Sequence, residues 1–319
     1  MKLFLLRSKA ALLSTLLFLV LAASASAQEE RSRAYIDAQP LFVVPANGIE
    51  IAYRTLGADD RPPVVMIMGL GASHVVWGDE MVKGLEEAGF RVVLLDNRDV
   101  GGSTRFDEWG EPTLWWQFLK RELGFEVDAP YTLNDMGADT IALMDQLNIS
   151  DAHLIGASMG GMIAQVAAAQ YPDRARSLIS IMSTTGAPHL PPPSDEATKR
   201  LTGLASGDED DAQRQAAFVK RGFYPEAMPR QMMAIFKTGD RSAEVATINA
   251  PTLVLHGADD DLIPPPHGEY TAQLIEGSDL VVFEGMGHNI PNEVLPQMLA
   301  RMIAHMRATD AVKESLALK

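Results

Sequence analysis

The sequence predicts an α/β protein: a mostly parallel twisted sheet flanked by helices, with a small helical cap inserted late in the sheet. Three observations predict it. Apolar runs of strand length recur at regular intervals along the chain, and most are separated by stretches of helical periodicity. One long interval, from Gly186 to about Val245, breaks that rhythm. Strands that alternate with helices pair in parallel and are covered on both faces.

The elements follow in order. "MKLFLLRSKAALLSTLLFLVLAASASAQEE" opens with Lys2, Arg7 and Lys9, continues uncharged from Ala10 to Ala23, and ends in Ala25-Ser26-Ala27. A positive start, a short apolar centre and an A-x-A close predict a secretory signal peptide over residues 1–27. Its uncharged stretch is shorter than the roughly 20 residues a spanning helix needs, so no stable membrane anchor is expected. "LFVVPANGIEIAYRTLG" carries two short strands around Ala46-Asn47-Gly48, an antiparallel hairpin signal. "PVVMIMG" (Pro63 to Gly69) and "RVVLLDN" (Arg91 to Asn97) are buried-strand candidates, with the helix-like "WGDEMVKGLEEAGF" between them.

Leu133 to Leu147 shows helical spacing, with Thr132 as its N-cap. "AHLIGA" is the next strand and "GGMIAQVAAAQYP" a helix stopped before Pro172. Arg176 to Ser183, Ala250 to Gly257 and Asp279 to Gly285 supply three more strands, and a helix from about Asn292 to Arg307 closes the chain. The irregular interval at 186–245 mixes Pro-rich and acidic stretches with amphipathic ones rich in Met and Phe, which predicts the cap. Its acidic run, Asp208 to Asp211, lacks the spacing of an ion loop and reads as a solvated turn.

Composition narrows the function. The chain has 319 residues with a formal charge of −15. Removing residues 1–27 takes away three cations and no anion, leaving a 292-residue chain at −18. Such an acidic protein is a poor partner for nucleic acid or anionic membrane. With no cysteine it has neither disulfide nor thiolate metal site. The compartment expected, periplasmic or secreted, rests on the signal segment alone.

The chemistry centres on Gly156-Ala157-Ser158-Met159-Gly160. A bare G-x-S-x-G is common, but here the serine follows a predicted strand directly and precedes a predicted helix. That context makes it a nucleophile elbow, with Oγ presented at a helix N-terminus where negative charge is favoured. "IMGLGASHVVW" is a glycine-bearing loop after an earlier strand, placed to supply one oxyanion-hole amide. The backbone N–H groups of Leu70 and Met159 are the expected pair.

"LVLHGADDDLIPP" offers Asp259, Asp260 and Asp261 after a strand. Asp260 is the expected acid, because in G-x-x-D-x-L-x-P loops the aspartate three after the glycine turns toward the site. Of seven histidines, only His288, in "FEGMGHNIP", sits just beyond the last strand, where Gly285 and Gly287 let the loop reach back. Chain order Ser…Asp…His then completes a triad.

On these residues the chain resembles the α/β-hydrolase superfamily over essentially its whole mature length. Within it the chain is most similar to the group containing aclacinomycin methylesterase and related carboxylic-ester hydrolases. The carrying segments are "IMGLGAS…W", "DNRDVGGST", "YTLNDMGADTIALMDQLNI", "AHLIGASMGGMIAQ", "IMSTTG", "HGADDDLIPP" and "GMGHNIP". The resemblance implies the roles already given to Ser158, Asp260, His288, Leu70 and Met159, and no cofactor. Two positions depart from it. Met68-Gly69 stands where many relatives have His-Gly, and Asp261 where similar sequences often have proline. In "DNRDVGGST", Asp96, Arg98 and Ser103 are expected to fix a loop beneath the site. Trp109, Trp115 and Trp116 are candidates to wall an acyl pocket with the cap residues Phe218, Met232 and Phe236, although packing of the cap on the core explains them as well.

The expected activity is hydrolysis of small-molecule carboxylic esters through an acyl-enzyme on Ser158. The same triad serves C–C bond hydrolases, thioesterases, lactonases, acyltransferases and perhydrolases. From another class, the fold also serves as a ligand-binding protein without turnover.

Overall fold

The computed structural model describes residues 32–110, 112–113, 116–117, 119–120, 123–195, 216 and 218–317. The predicted signal segment, the acidic run 208–211 and Trp115 lie outside the described residues. Among these residues eight strands form one sheet: β1 (Phe42–Ala46), β2 (Ile49–Leu56), β3 (Pro63–Ile67), β4 (Arg91–Leu95), β5 (Ala152–Ala157), β6 (Ala175–Ile181), β7 (Thr252–Gly257) and β8 (Asp279–Phe283). Their order across the sheet is β1-β2-β4-β3-β5-β6-β7-β8. β1 and β2 pair antiparallel, as do β2 and β4, and every later pair is parallel.

Asn47 and Gly48 both take positive φ, 49° and 77°, so the β1–β2 hairpin closes in two left-handed residues whose twist matches the strands. Strands β5 (AHLIGA) and β7 (TLVLHG) are buried along their whole length. Near-continuous apolar runs of this kind are what a sheet covered on both faces requires.

Among the described residues, six helices of two turns or more are α1 (Asp79–Glu87), α2 (Leu133–Gln146), α3 (Met159–Gln170), α4 (Met228–Thr238), α5 (Pro266–Leu274) and α6 (Leu295–Ala317). α2 starts where Thr132 caps it. The Thr132 hydroxyl accepts from the Asp135 amide at 3.3 Å, and the Asp135 carboxylate accepts from the Thr132 amide at 2.7 Å. Such a capping box contributes about 1 kcal/mol.

α6 runs ten residues past the predicted Arg307. Its apolar stripe of Met298, Met302 and Met306 is fully buried and ends there. Beyond it the helix is tied down by charge: Asp310 accepts from Arg176 at 3.1 Å, and Lys313 pairs with Asp151. Ion pairs carry no apolar periodicity, so the extension was invisible in the pattern. α4 lies between β6 and β7, within the interval predicted as a cap. No helix among the described residues is long and apolar enough to cross a membrane.

Candidate active site

The chain turns from β5 into α3 within one residue, Ser158, at φ 56° and ψ −121°. A non-glycine residue there is strained by about 1–3 kcal/mol and persists only where its surroundings hold it. The Ser158 amide donates to the Ile181 carbonyl at 2.9 Å, and its own carbonyl accepts from Ser183 Oγ at 2.8 Å. The flanking glycines are required by space. A Cβ at Gly156 would lie 2.1 Å from the Gly160 carbonyl oxygen, and one at Gly160 would lie 2.0 Å from that of Ile67. Both obstacles are backbone. Gly160→Ala is therefore expected to lower the unfolding free energy by about 1–3 kcal/mol, read from urea denaturation. An unchanged midpoint would show that the elbow has room it does not display.

Acid and base reach the serine from two loops joined to each other. The Asp259 amide donates to the Met286 carbonyl at 2.9 Å, which ties the loop after β7 to the loop after β8. Asp260 is buried, and its Oδ1 accepts from the amides of Leu262 and Ile263 at 3.0 and 2.8 Å. Its Oδ2 lies 2.8 Å from His288 Nδ1, and His288 Nε2 lies 3.0 Å from Ser158 Oγ. An ionised carboxylate only accepts, so Nδ1 carries the proton and Nε2 presents its lone pair to the serine hydroxyl. Asp259 is exposed and takes no part in this chain of hydrogen bonds. The amides of Leu70 and Met159 have no acceptor among the described residues. That Met159 opens α3 accounts for its free N–H. Together these groups can deprotonate a hydroxyl, attack a carbonyl and receive the oxyanion.

Behind the site, "DNRDVGGST" is bound at nearly every residue. Asp96 accepts from the His74 amide at 2.9 Å and lies 2.7 Å from His74 Nδ1. Arg98 makes two bonds of 2.6 Å to Asp139, and Ser103 Oγ joins the Ala52 amide to the Asp96 carbonyl at 2.9 and 2.7 Å. Sequence reasoning missed four other residues here. Asn97 Nδ2 donates to the Met68 carbonyl at 2.7 Å, Asp99 receives a buried fork from Arg230, and Gln231 binds the Gly71 amide. Asn97 and Asp99 stand inside the singled-out motif, but Arg230 and Gln231 carry no local signal. As for the pocket candidates, Phe218 and Met232 are buried, Phe218 stacking on Phe223 at 4.2 Å. Phe236 is half-buried and Trp116 exposed.

A family model described as "alpha/beta hydrolase fold" matches residues 62–223, half of the chain. The chain belongs to this family. Among the α/β-hydrolases it is similar to rhodomycin D methylesterase DnrP of Streptomyces peucetius, 27% identical over 312 residues, covering 84% of this chain and 99% of the relative. The bifunctional esterase/perhydrolase DCH of Acinetobacter calcoaceticus is 23% identical over 301 residues, covering 84% and 99%. A crystal structure of a hydrolase from Pseudomonas aeruginosa PA01 superposes with a TM-score of 0.63 at 23% identity, covering 84% of this chain and 99% of that one. The aclacinomycin methylesterase-like grouping read from the sequence agrees with these relatives.

Burial of four histidines predicts that this α/β-hydrolase loses stability in acid. His153, His256, His267 and His305 all have their pKa pushed below the ordinary 6.5, chiefly by burial. In the unfolded chain these four histidines take up protons as pH falls through about 6.5, while in the folded chain they do so only at lower pH. Stability is therefore expected to decline from pH 7 to pH 5, above the range where carboxylates titrate. Urea midpoints that stay level over that interval would contradict this.

Proposed function

We propose that this α/β-hydrolase cleaves carboxylic esters through an acyl-enzyme on Ser158. The observation that carries the reading is the hydrogen-bonded chain Asp260–His288–Ser158, at 2.8 and 3.0 Å, on a strained strand-to-helix turn. His288 Nε2 takes the Ser158 proton as Oγ attacks the ester carbonyl. The tetrahedral oxyanion is received by the amides of Leu70 and Met159, each such donor contributing about 3–4 kcal/mol. The alcohol leaves with the proton from His288. Water, deprotonated by the same histidine, then attacks the acyl carbon; the acyl–Oγ bond breaks, His288 returns the proton to Ser158 and the acid is released.

An ester substrate is favoured by the relatives whose names are methylesterase and esterase. The test is hydrolysis of p-nitrophenyl esters from acetate to palmitate, beside Ser158→Ala. A chain-length optimum that vanishes in the variant supports the reading. Equal rates in both proteins would remove Ser158 from the mechanism. Export is part of the proposal, and a mature protein beginning at Gln28 on mass analysis is its expected sign.

A further inference from the structure

The loop that carries Leu70 is held less by its own residues than by the segment between β6 and β7. The Tyr224 amide donates to the Gly71 carbonyl at 2.6 Å, and both the amide and hydroxyl of Ser73 donate to the Gly222 carbonyl at 2.9 Å. Ala72 and Phe223 form an antiparallel bridge between the two segments. At the same residue, Gly71, α4 delivers Gln231. Its Oε1 accepts from the Gly71 amide at 2.6 Å and its Nε2 donates to the Arg98 carbonyl at 2.9 Å.

Gln231 is fully buried and its orientation is forced. A flipped amide would set NH₂ against N–H and oxygen against carbonyl oxygen. Met68 has no polar end with which to brace the loop from within, so the Asn97 and Gln231 side-chain amides grip it from outside, one on each side of Leu70.

We infer that Gln231 is a positioning residue: it carries the docking of α4 into the geometry of the oxyanion hole, so the hole is complete only while that helix is seated. The inference rests on the esterase reading of Leu70. The peptide that Gln231 fixes is the one between Leu70 and Gly71, adjacent to the peptide whose N–H is the proposed donor. Loss of the bond lets that donor swing, and misplacement of the order of 1 Å can cost about 100-fold in rate. The effect falls on the transition state, because a ground-state carbonyl asks less of the hole than an oxyanion does.

The test compares Gln231→Leu and Gln231→Glu with wild type on a p-nitrophenyl ester. Gln231→Leu is expected to lower kcat roughly 10- to 100-fold with KM within about threefold. It should weaken a trifluoromethyl ketone, which forms an oxyanion on Ser158, by a similar factor. A protonated glutamic acid can keep both bonds, accepting from Gly71 and donating to Arg98. Ionised, it faces the Arg98 carbonyl with negative charge. The kcat ratio of Gln231→Glu to wild type should therefore rise as pH falls from 8 to 5, while the Gln231→Leu ratio stays flat. Wild-type kcat in Gln231→Leu, with only its unfolding temperature lowered, would overturn the inference. So would a Gln231→Glu ratio independent of pH, which remains readable should the leucine variant fail to fold.

Failure of the underlying esterase reading looks different: turnover that survives Ser158→Ala. Hydrogen exchange of the peptide spanning residues 69–74 then decides alone. Faster exchange in Gln231→Leu upholds the bracing, and unchanged exchange refutes it.

Discussion

Ser158→Ala is expected to lower kcat/KM for a p-nitrophenyl ester by roughly 10⁴- to 10⁶-fold, with His288→Ala close behind and the double variant scarcely worse than either. Nucleophile and base act as one unit, so removing either abolishes the same step. Asp260→Asn provides the finer test. The acid's Oδ1 already accepts from the amides of Leu262 and Ile263. An asparagine keeps its oxygen on those amides, and its NH₂ must then face His288 Nδ1. That forces the proton onto Nε2, which would donate to Ser158 where it has to accept. The expected loss is about 10⁴-fold in kcat with an unchanged unfolding temperature. Full activity in Asp260→Asn would mean that this carboxylate does not set the tautomer. A Ser158→Ala protein within tenfold of wild type would end the acyl-enzyme reading.

The residues of this candidate triad were legible because each follows the C-terminal end of a strand, where a short local pattern marks it. Residue type alone would have misled. Ser, His and Asp meet a second time: Ser177 Oγ lies 2.7 Å from His153 Nδ1, and His153 Nε2 lies 3.3 Å from Asp310. Ser177 and His153 are fully buried inside strands, closed to any substrate, and their strand-interior positions already said so. What the pattern concealed were long-range polar grips. Asp99 stands in "DNRDVGGST" like a solvated turn residue, yet it is fully buried. Its partner Arg230 lies 131 residues away, and Gln231 reaches Arg98 across 133. On an amphipathic helix two adjacent polar residues read as the solvent face. Only the packing of α4 against the loop at 96–104 reverses that reading. The strands end two residues before Gly69, Asn97, Ser183 and Gly285; Met68 and Met182 prolong the apolar run past the strand, whereas Asp96 and Glu284 already leave it.

Arg230→Met should be the most damaging change outside the proposed triad, lowering the unfolding free energy by about 3–5 kcal/mol. Arg230 closes a fork on Asp99, Nε to Oδ2 at 2.7 Å and an Nη to Oδ1 at 2.8 Å, and its terminal nitrogen also reaches Asp107 at 2.7 Å. Asp99 keeps Tyr131 Oη at 2.7 Å and the Phe106 amide at 3.0 Å. Burial, with Asp99 beside it, pushes the Tyr131 phenol well above its ordinary pKa, so that group stays a neutral donor and supplies no compensating charge. Arg105 stands 3.9 Å away, beyond hydrogen-bond reach. Removing Arg230 thus takes its hydrogen-bonded cation from a buried carboxylate and leaves it only the longer ion pair to Arg105. The charge itself is the liability, which Asp99→Asn tests. Residue 99 has φ 79°, a left-handed conformation that asparagine tolerates, so the backbone accepts the change. Asp99→Asn/Arg230→Met should therefore be more stable than Arg230→Met alone, with a coupling of about 1–3 kcal/mol in a double-mutant cycle of urea unfolding. Additive losses would show that the fork contributes only packing. Because Arg230 and Gln231 are adjacent on α4, the double variant should regain stability sooner than kcat: the helix can be kept folded without its charge, but its seat on the Gly71 amide depends on where that fork places it.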